Sequence, residues 1–338
     1  MSRERPRRVG ILTSGGDAPG MNAAIRAITR AALGEGLEVI GFYRGYDGVV
    51  NKLYVELDRR SVANIVQRGG TMLRSARCKA FMTPEGRDQA AANLRELGID
   101  VLFVIGGDGS LKGANALRKH WDGQVIGLPG TIDNDLDGTD FTIGYFTALD
   151  TALQAIDKVR DTADAFERVF LIEVMGRMAG FIALGVGIGC GAEEVLVPEQ
   201  EFNLRNLIGR IQATKETGKL SCIIIVAEGV VHRGVRSIDG RITIHDTTML
   251  AKEIQTHTGL DSRAVILGHI QRGGNPAALD RILASTLGAF AVEQALAGAS
   301  EIMVGVQARQ LCAVPLQETW KDHKPLDEYQ LKVQRLLA

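Results

Sequence analysis

Short apolar runs alternate along the chain with glycine-rich or polar turns. The runs are continuous rather than alternating, which is typical of strands buried on both faces of a parallel sheet. The clearest runs lie at residues 9–12, 100–105, 125–128, 169–174, 223–226, 264–267 and 302–306, with a shorter one at 196–197. After the first run, Met21, Ala24, Ile25, Ile28 and Ala32 share one helical face. A second helix is predicted over residues 145–159.

This repeated order of strand, turn and helix, without a long linker, predicts an α/β protein. In such proteins, ligands gather at the carboxyl ends of the parallel strands. The 338 residues are enough for about two domains of roughly 100–200 residues each. Residues 231–248 break the pattern and are predicted to form a surface hairpin or loop insertion, to which we assign no function.

Composition narrows the class of protein. The 45% hydrophobic and 23% charged residues match an ordinary globular protein. A net charge of −1 gives no support to a nucleic-acid or anionic-membrane partner. No apolar run approaches a membrane span or a signal sequence, and the four scattered cysteines form no metal or disulfide pattern. We therefore expect a cytoplasmic enzyme.

Two glycine turns follow predicted strands and precede predicted helices. The turn at residues 13–20 could cradle a phosphate on backbone N–H groups, or it could be a plain strand–turn–helix corner. It matches neither the dinucleotide nor the Walker fingerprint. The turn at residues 106–110 has glycine on both sides of Asp108, which favours close approach to phosphates with the carboxylate positioned for Mg²⁺.

Further charged residues follow other strands. Arg77, after the glycine pair at residues 69–70, could reach an anion, and His269 and Arg272 could together hold a phosphate. Asp133 and Asp135 lie just after the run at 125–128, in a stretch that by itself favours an Asp/Asn-rich turn. A strand end so rich in carboxylates is costly unless a metal, a basic partner or a substrate proton compensates the charge.

Five segments, at residues 12–22, 106–110, 129–135, 175–177 and 268–274, occur in the order found in bacterial 6-phosphofructokinases. One glycine motif alone also resembles NAD kinases and lipid kinases, whereas the ordered set resembles this family over nearly the whole chain. The similarity is weakest at the C-terminal end and at residues 231–248.

The resemblance implies two domains, each with a largely parallel sheet flanked by helices, and an active site in the cleft between them. Residues 1–143 and 270–320 would form the larger, ATP-binding domain. Residues 144–269 and 321–338 would form the smaller, fructose 6-phosphate-binding domain.

The implied reaction transfers the γ-phosphoryl of MgATP to the 1-hydroxyl of fructose 6-phosphate, the committed step of glycolysis. Asp133 would accept the hydroxyl proton beside Thr131, while Asp135 would organise the site with Arg177 and the metal. Asp108 matches the Mg²⁺ position. The residues implied for ATP are Gly16, Arg77, Cys78, Gly107, Asp108, Gly109 and Ser110. Those implied for the sugar phosphate are Thr131, Asp133, Arg168, Met175, Gly176, Arg177, Glu228, Arg263, His269 and Arg272. Asp137 matches no family role.

The family also forms homotetramers, in which Arg168 and Arg263 would reach a neighbouring active site. The residues matching its effector site for ADP or phosphoenolpyruvate are Arg26, Arg30, Arg59, Arg160, Glu193 and Lys219. Arg26 and Arg30 fit equally well on a solvated helix face. Thr217 replaces a lysine of the effector site, which should weaken anion binding there, and Cys78 replaces an aromatic residue beside Arg77.

The phosphoryl donor depends on two glycines. Family members that use pyrophosphate carry an acidic residue at the position of Gly109 and a lysine at that of Gly130, so glycine at both favours ATP. The alternatives are a pyrophosphate-linked enzyme and a non-catalytic regulatory paralogue. The complete set of Asp108, Asp133, Asp135, Arg177 and Arg272 argues against the paralogue. A related acceptor such as sedoheptulose 7-phosphate stays open.

Overall fold

The structure, a computed structural model, describes residues 5–219, 221–321 and 324–338. It divides into two compact units. The described residues within 1–132, 136–147 and 272–324 form the first unit, and those within 133–135, 148–271 and 325–338 form the second. Residues 1–4 of the predicted ATP-binding domain, and residues 220 and 322–323 of the other, lie outside the described residues.

The strands in chain order are β1 (Arg8–Ser14), β2 (Glu38–Phe42), β3 (Tyr54–Glu56), β4 (Val101–Gly106), β5 (Gln124–Pro129), β6 (Val169–Val174), β7 (Glu194–Leu196), β8 (Cys222–Ala227), β9 (Val235–Arg236), β10 (Ile242–Ile244), β11 (Ser262–Ile266), β12 (Ile302–Gln307) and β13 (Gln310–Pro315). The helices are α1 (Met21–Gly34), α2 (Tyr46–Asn51), α3 (Pro84–Glu96), α4 (Asp108–Leu117), α5 (Tyr145–Phe166), α6 (Phe181–Cys190), α7 (Leu204–Glu216), α8 (Glu228–His232), α9 (Thr247–Thr258), α10 (Ala278–Leu296) and α11 (Glu328–Leu337).

The first unit is built on a seven-stranded sheet in the order β13-β12-β5-β4-β1-β2-β3. The pairs from β12 to β2 are parallel, and the edge strands β3 and β13 each pair antiparallel with their neighbour. All six residues of both β4 and β5 are buried, as expected for strands covered on both faces. The apolar face predicted for α1 is buried, and Arg26 and Arg30 are partly exposed.

The second unit has a four-stranded, wholly parallel sheet in the order β11-β6-β8-β7. The predicted α/β class with largely parallel sheets is therefore confirmed. Residues 231–248 include the β9–β10 hairpin, as predicted. The helix predicted to end at residue 159 continues to Phe166. Ala163 is buried seven residues after the buried Ile156, so the apolar face of the helix extends beyond residue 159. Glu167 follows with a φ of 52°.

None of the helices in the described part of the chain is long and apolar enough to span a membrane.

Candidate active site

In the first unit, the carboxyl ends of three parallel strands lie side by side. Ser14 at the end of β1 pairs with Gly106 at the end of β4, which in turn pairs with Pro129 at the end of β5. Gly16, Gly107 and Thr131 lie in the segments that directly follow these strands, and residues 108–110 form the first turn of α4. Strand pairing thus gathers residues that are far apart in sequence at one edge of the sheet.

The turn after β4 is shaped by close backbone approach. A Cβ on Gly106 would lie 2.5 Å from the Ser14 carbonyl oxygen and 2.7 Å from Ser110 Oγ, so a side chain there would require the strands to separate. Gly107 is the residue before α4, and a Cβ on it would lie 3.3 Å from Thr131 Cβ. Its N-cap residue, Gly107, has no side chain with which to cap the helix. The arrangement suits an anionic group bound at the N-terminus of α4.

Asp108 is the first residue of α4, and its two carboxylate oxygens differ. Oδ2 accepts a hydrogen bond from Lys112 Nζ at 2.9 Å, one helical turn further on. Oδ1 is buried and has no hydrogen-bond partner among the described residues. An unpartnered buried carboxylate oxygen fits a cation ligand. The described part of the chain holds no cluster of three or more acidic, histidine or cysteine ligands. Mg²⁺ is often held by one or two carboxylates together with substrate phosphates and water.

The loop that carries Arg77 is fastened to the end of β1. Ser75 Oγ donates to the Gly15 carbonyl at 2.6 Å, and the Thr13 hydroxyl lies 2.9 Å from the Arg74 carbonyl that it donates to. Arg77 itself is exposed, whereas Cys78 is partly buried against the hydrophobic core. The loop therefore brings Arg77 to the same edge of the sheet as the glycine turn.

Arg272 contacts the glycine turn after β1. Its Nη1 donates to the Asp17 carbonyl at 3.1 Å, and a Cβ on Gly16 would lie 2.6 Å from the same nitrogen. Arg272 is only 9% exposed. An arginine assigned to the sugar phosphate thus lies against a glycine assigned to ATP, and Gly16 leaves the room that the guanidinium occupies.

The two glycines predicted to favour ATP over pyrophosphate differ in their surroundings. A Cβ on Gly109 would meet nothing within 4 Å outside its own helix backbone. A Cβ on Gly130 would lie 2.9 Å from Ile105 Cγ2 and 3.2 Å from the Gly106 nitrogen. Gly130 is therefore required by packing in this chain, so the absence of a side chain at Gly109 is the more informative of the two.

In the second unit, Asp133 lies beside Arg177. Arg177 Nε is 3.3 Å from Asp133 Oδ2, and the Asp133 side chain is 2% exposed against 55% for the arginine. Arg177 has a φ of 53°, a backbone conformation that is unusual for a side chain larger than glycine. The preceding Gly176 also has a positive φ, 141°. This strained turn at the end of β6 directs the guanidinium to the carboxylate.

Two other side chains hold that turn. Glu228, the first residue of α8 and directly after β8, accepts the N–H groups of Gly176 and Arg177 through Oε1. Gln271 accepts the Met175 N–H at 2.8 Å and is fully buried. Gln271 was not predicted, although it lies in the segment that supplied His269 and Arg272. The contact of Gln271 with Met175 could not be predicted from the sequence, because it depends on the pairing of β6 with β11.

The remaining predicted sugar residues divide into two groups. His269 is exposed in a short 3-10 helix, Gly268–Arg272, after β11. Arg168 and Arg263 lie at the opposite, amino ends of β6 and β11, and both pair with Asp261. Since β6 has six residues, roughly 20 Å of strand separates Arg168 from Met175. The structure thus brings together Met175, Gly176, Arg177 and Glu228, but not the two arginines with them.

The other two acids after β5 are less buried than Asp133. Asp135 and Asp137 are both partly exposed. Asp137 Oδ1 accepts the Gly138 N–H at 2.7 Å, and Gly138 has a φ of 83°. Asp137 therefore forms the turn that Asp-rich sequences favour.

The residues predicted for the effector site also lie in groups. Arg26 and Arg30 are on successive turns of α1, and Arg59 is exposed after β3. In the second unit, Glu193 is buried, accepts the Ile223 N–H and pairs with Lys219. Arg160 donates to the Cys190 carbonyl, three residues before Glu193.

The Thr217 hydroxyl donates to the Thr214 carbonyl within its own helix region.

Comparison with known proteins agrees with this architecture. The phosphofructokinase family model matches residues 8–295. ATP-dependent 6-phosphofructokinase 1 of Thermus thermophilus is 49% identical over 332 residues, which cover 98% of this chain and 99% of the relative. ATP-dependent 6-phosphofructokinase of Bacillus subtilis is 50% identical over 305 residues, 90% of this chain and 91% of the relative.

A solved structure shares the fold as well. Phosphofructokinase from Saccharomyces cerevisiae superimposes with a TM-score of 0.85 at 35% identity, covering 93% of this chain. This chain spans 45% of the yeast chain's length. With a family match over most of its length and relatives about half identical to it, this chain belongs to the phosphofructokinase family.

Proposed function

We propose that this chain is an ATP-dependent 6-phosphofructokinase, which transfers the γ-phosphoryl of MgATP to the 1-hydroxyl of fructose 6-phosphate. The products are fructose 1,6-bisphosphate and ADP, in the committed step of glycolysis. One observation carries the proposal: a buried carboxylate, Asp133, lies 3.3 Å from the Arg177 guanidinium, two residues after Thr131. A protein that only binds nucleotide or sugar phosphate needs no such base.

Asp133 accepts the proton of the acceptor hydroxyl as that oxygen attacks phosphorus. Phosphoryl transfer relies on positioning and charge stabilisation more than on covalent chemistry by the protein. Arg177 serves both needs, because its guanidinium orients the base and is a cation for the charge on the transferring group. Thr131 and Asp135, on either side of Asp133 in sequence, complete this catalytic set.

ATP binds to the first unit. Gly16, Gly107, Gly109 and Ser110 admit the phosphates to the ends of β1 and β4, and Arg77 contacts the γ-phosphate. Mg²⁺ would be held by Asp108 and would neutralise phosphate charge when bound. Oδ1 of Asp108, buried and without a partner among the residues that the structure describes, is the atom that fits this ion.

Fructose 6-phosphate binds to residues at the ends of β6, β8 and β11. Glu228 accepts the Gly176 and Arg177 N–H groups through Oε1, so Oε2 is the atom that accepts a sugar hydroxyl. Met175 and Gly176 supply the wall of this region. His269 and Arg272 contact the sugar's phosphate.

The enzyme works as a homotetramer. Arg168 and Arg263 lie at the amino ends of their strands, a strand length from Met175, so they serve a sugar phosphate bound to a neighbouring copy. Closed symmetry is the usual arrangement in which each copy lends the same residues to its neighbour. Arg26, Arg30, Arg59, Arg160, Glu193 and Lys219 form the effector site, with fewer cations than the family pattern because of Thr217.

The experiment that tests the proposed function uses ATP or pyrophosphate as the sole phosphoryl donor. We expect the purified protein with Mg²⁺ to form fructose 1,6-bisphosphate from fructose 6-phosphate with ATP and not with pyrophosphate. Product can be measured by coupled aldolase assay. Activity mainly with pyrophosphate would refute the donor assignment made from Gly109, and activity with neither donor would favour the regulatory paralogue.

Asp108→Asn should raise the Mg²⁺ concentration needed for half-maximal velocity. The amide keeps the shape of the side chain and removes the charge that attracts the ion, so we expect a shift of at least about tenfold, and a lower maximal velocity. Initial rates measured over a range of Mg²⁺ concentrations at constant ATP give both the half-maximal Mg²⁺ concentration and the maximal velocity. Lys112→Met, which removes the pairing cation and keeps the carboxylate, is the control and should not raise the Mg²⁺ requirement.

A further inference from the structure

Asp261 binds both of the arginines that lie at the amino ends of β6 and β11. Arg168 Nε lies 2.6 Å from Oδ2, and Arg263 Nη1 lies 2.7 Å from Oδ1, so each carboxylate oxygen engages one arginine. Asp261 immediately precedes β11 and is two residues before Arg263. One carboxylate therefore sets the separation of the two guanidinium groups.

The backbone around this carboxylate is fixed by the sheet. The Val169 N–H donates to the Asp261 carbonyl at 3.0 Å, and Ser262 is paired with Val169 in the register of β11 and β6. The Arg168 guanidinium also lies over the Phe166 ring, 4.4 Å from its centroid. Arg168 is thus held from two sides, by an aromatic face and by a carboxylate.

The ion pairs leave donors and positive charge for a ligand. A guanidinium carries five N–H groups, and Asp261 engages the Nε of Arg168 and one terminal nitrogen of Arg263. Two cations and one anion leave a net charge of about +1 at this cluster. The side chains are still partly exposed, at 28% for Arg168, 51% for Arg263 and 36% for Asp261. A phosphate dianion can therefore approach both arginines.

We propose that Asp261 is a positioning residue. It holds the guanidinium groups of Arg168 and Arg263 in the arrangement in which they bind the phosphate of the acceptor sugar. The inference rests on the proposed function, in which these arginines serve a neighbouring copy. A long side chain that is already ordered loses less freedom when its ligand binds, so the ion pairs favour phosphate binding. If the carboxylate instead competed with phosphate for the arginines, removing its charge would raise the affinity for fructose 6-phosphate.

Asp261→Asn tests the proposal, since the amide keeps the size of the side chain and one acceptor oxygen. We expect the fructose 6-phosphate concentration at half-maximal velocity to rise about tenfold, with kcat and the KM for ATP unchanged. Asp164→Asn is the matched control, because Asp164 accepts from Ser221 and should leave all three parameters unchanged. Circular dichroism and gel filtration check the fold and assembly of each variant.

A double-mutant cycle with Arg168→Ala separates positioning from a general structural effect. If Asp261 acts through the arginine, the double variant should bind fructose 6-phosphate no more weakly than Arg168→Ala alone. Unchanged or improved affinity in Asp261→Asn, or additive losses in the cycle, would overturn the inference. If Arg168→Ala itself left the affinity unchanged while the wild type was active, the assignment of the arginines, and the inference with it, would be wrong. An inactive wild type would instead refute the proposed function.

Discussion

Replacing Asp133 by Asn should slow turnover by about 10²–10⁴-fold while both substrates still bind. The amide is the same size as the carboxylate but cannot accept the hydroxyl proton. Asp133 is buried beside the Arg177 guanidinium, so Asp133→Asn changes the charge at this position with little change in side-chain volume. The rate of fructose 1,6-bisphosphate formation at saturating substrates measures turnover. Equilibrium binding of fructose 6-phosphate measures whether the variant keeps its substrate affinity.

The chain offers a matched control four residues away. Asp137 uses Oδ1 to accept the Gly138 N–H, and Asn keeps that oxygen, so Asp137→Asn should be close to wild type in both measurements. Near-normal turnover in Asp133→Asn would show that another group accepts the proton. A loss of equal size in both variants would mean that charge in this acidic segment matters, and not the base at Asp133.

The parts of the site that follow buried strands could be predicted from the sequence. Continuous apolar runs followed by glycine located the turns at Gly16 and Gly107, because buried parallel strands are continuous apolar runs and ligand-binding turns lie at their carboxyl ends. Gly130 followed from the same rule, but its tight packing against Ile105 did not. The strands β2, β3 and β13 were not predicted. β2 is an inner strand with four buried residues, and β3 has three residues. β13 contains the apolar residues 311–314, but it lies at the edge of the sheet and its residues are exposed or partly exposed.

Contacts between side chains distant in sequence could not be predicted. The hydrogen bond from the Met175 N–H to Gln271 joins residues 96 positions apart, and it forms because β6 and β11 are paired. In the sequence, nothing distinguishes Asp261 from other polar residues that precede strands. Its ion pair with Arg168 follows from the sheet order, which places the two residues side by side. The family resemblance supplied roles for both arginines, whereas their shared carboxylate follows only from the topology.

Asp280 is the clearest example of such a contact. It lies in the first turn of α10 and is fully buried. Its carboxylate accepts the N–H groups of Gly144, Phe146 and Thr147 and the Thr147 hydroxyl, with 2.8 Å to the Gly144 nitrogen and 2.7 Å to the Thr147 nitrogen. It therefore satisfies the orphan donors at the start of α5, where a helix dipole also favours negative charge. Nothing in the apolar pattern marks this acid as part of the core.

Asp280→Ala should lower the free energy of unfolding by about 3–5 kcal/mol, because several buried donors lose their acceptor at once and each costs about 1–3 kcal/mol. Urea unfolding at a fixed protomer concentration measures the loss. Glu293→Ala, an exposed acid on the same helix, is the control and should change the free energy by no more than about 0.5 kcal/mol. Equal losses in both variants would mean that α10 is sensitive to any substitution.

The pH dependence of the free energy of unfolding tests which protonation state of Asp280 stabilises the fold. Burial raises the pKa of Asp280 above its ordinary value of 3.8, because desolvation of the charged form outweighs the hydrogen bonds that it accepts. The folded chain thus holds this proton more tightly than the unfolded chain does. The resulting stability is fully present below about pH 4 and is lost as the pH rises through the folded-state pKa. Asp280→Asn cannot titrate, so the wild type's advantage over it should be largest in acid and shrink towards neutral pH. An advantage that instead grew with pH would show that the four donors lower the pKa, and that the ionised carboxylate is the form that holds α5.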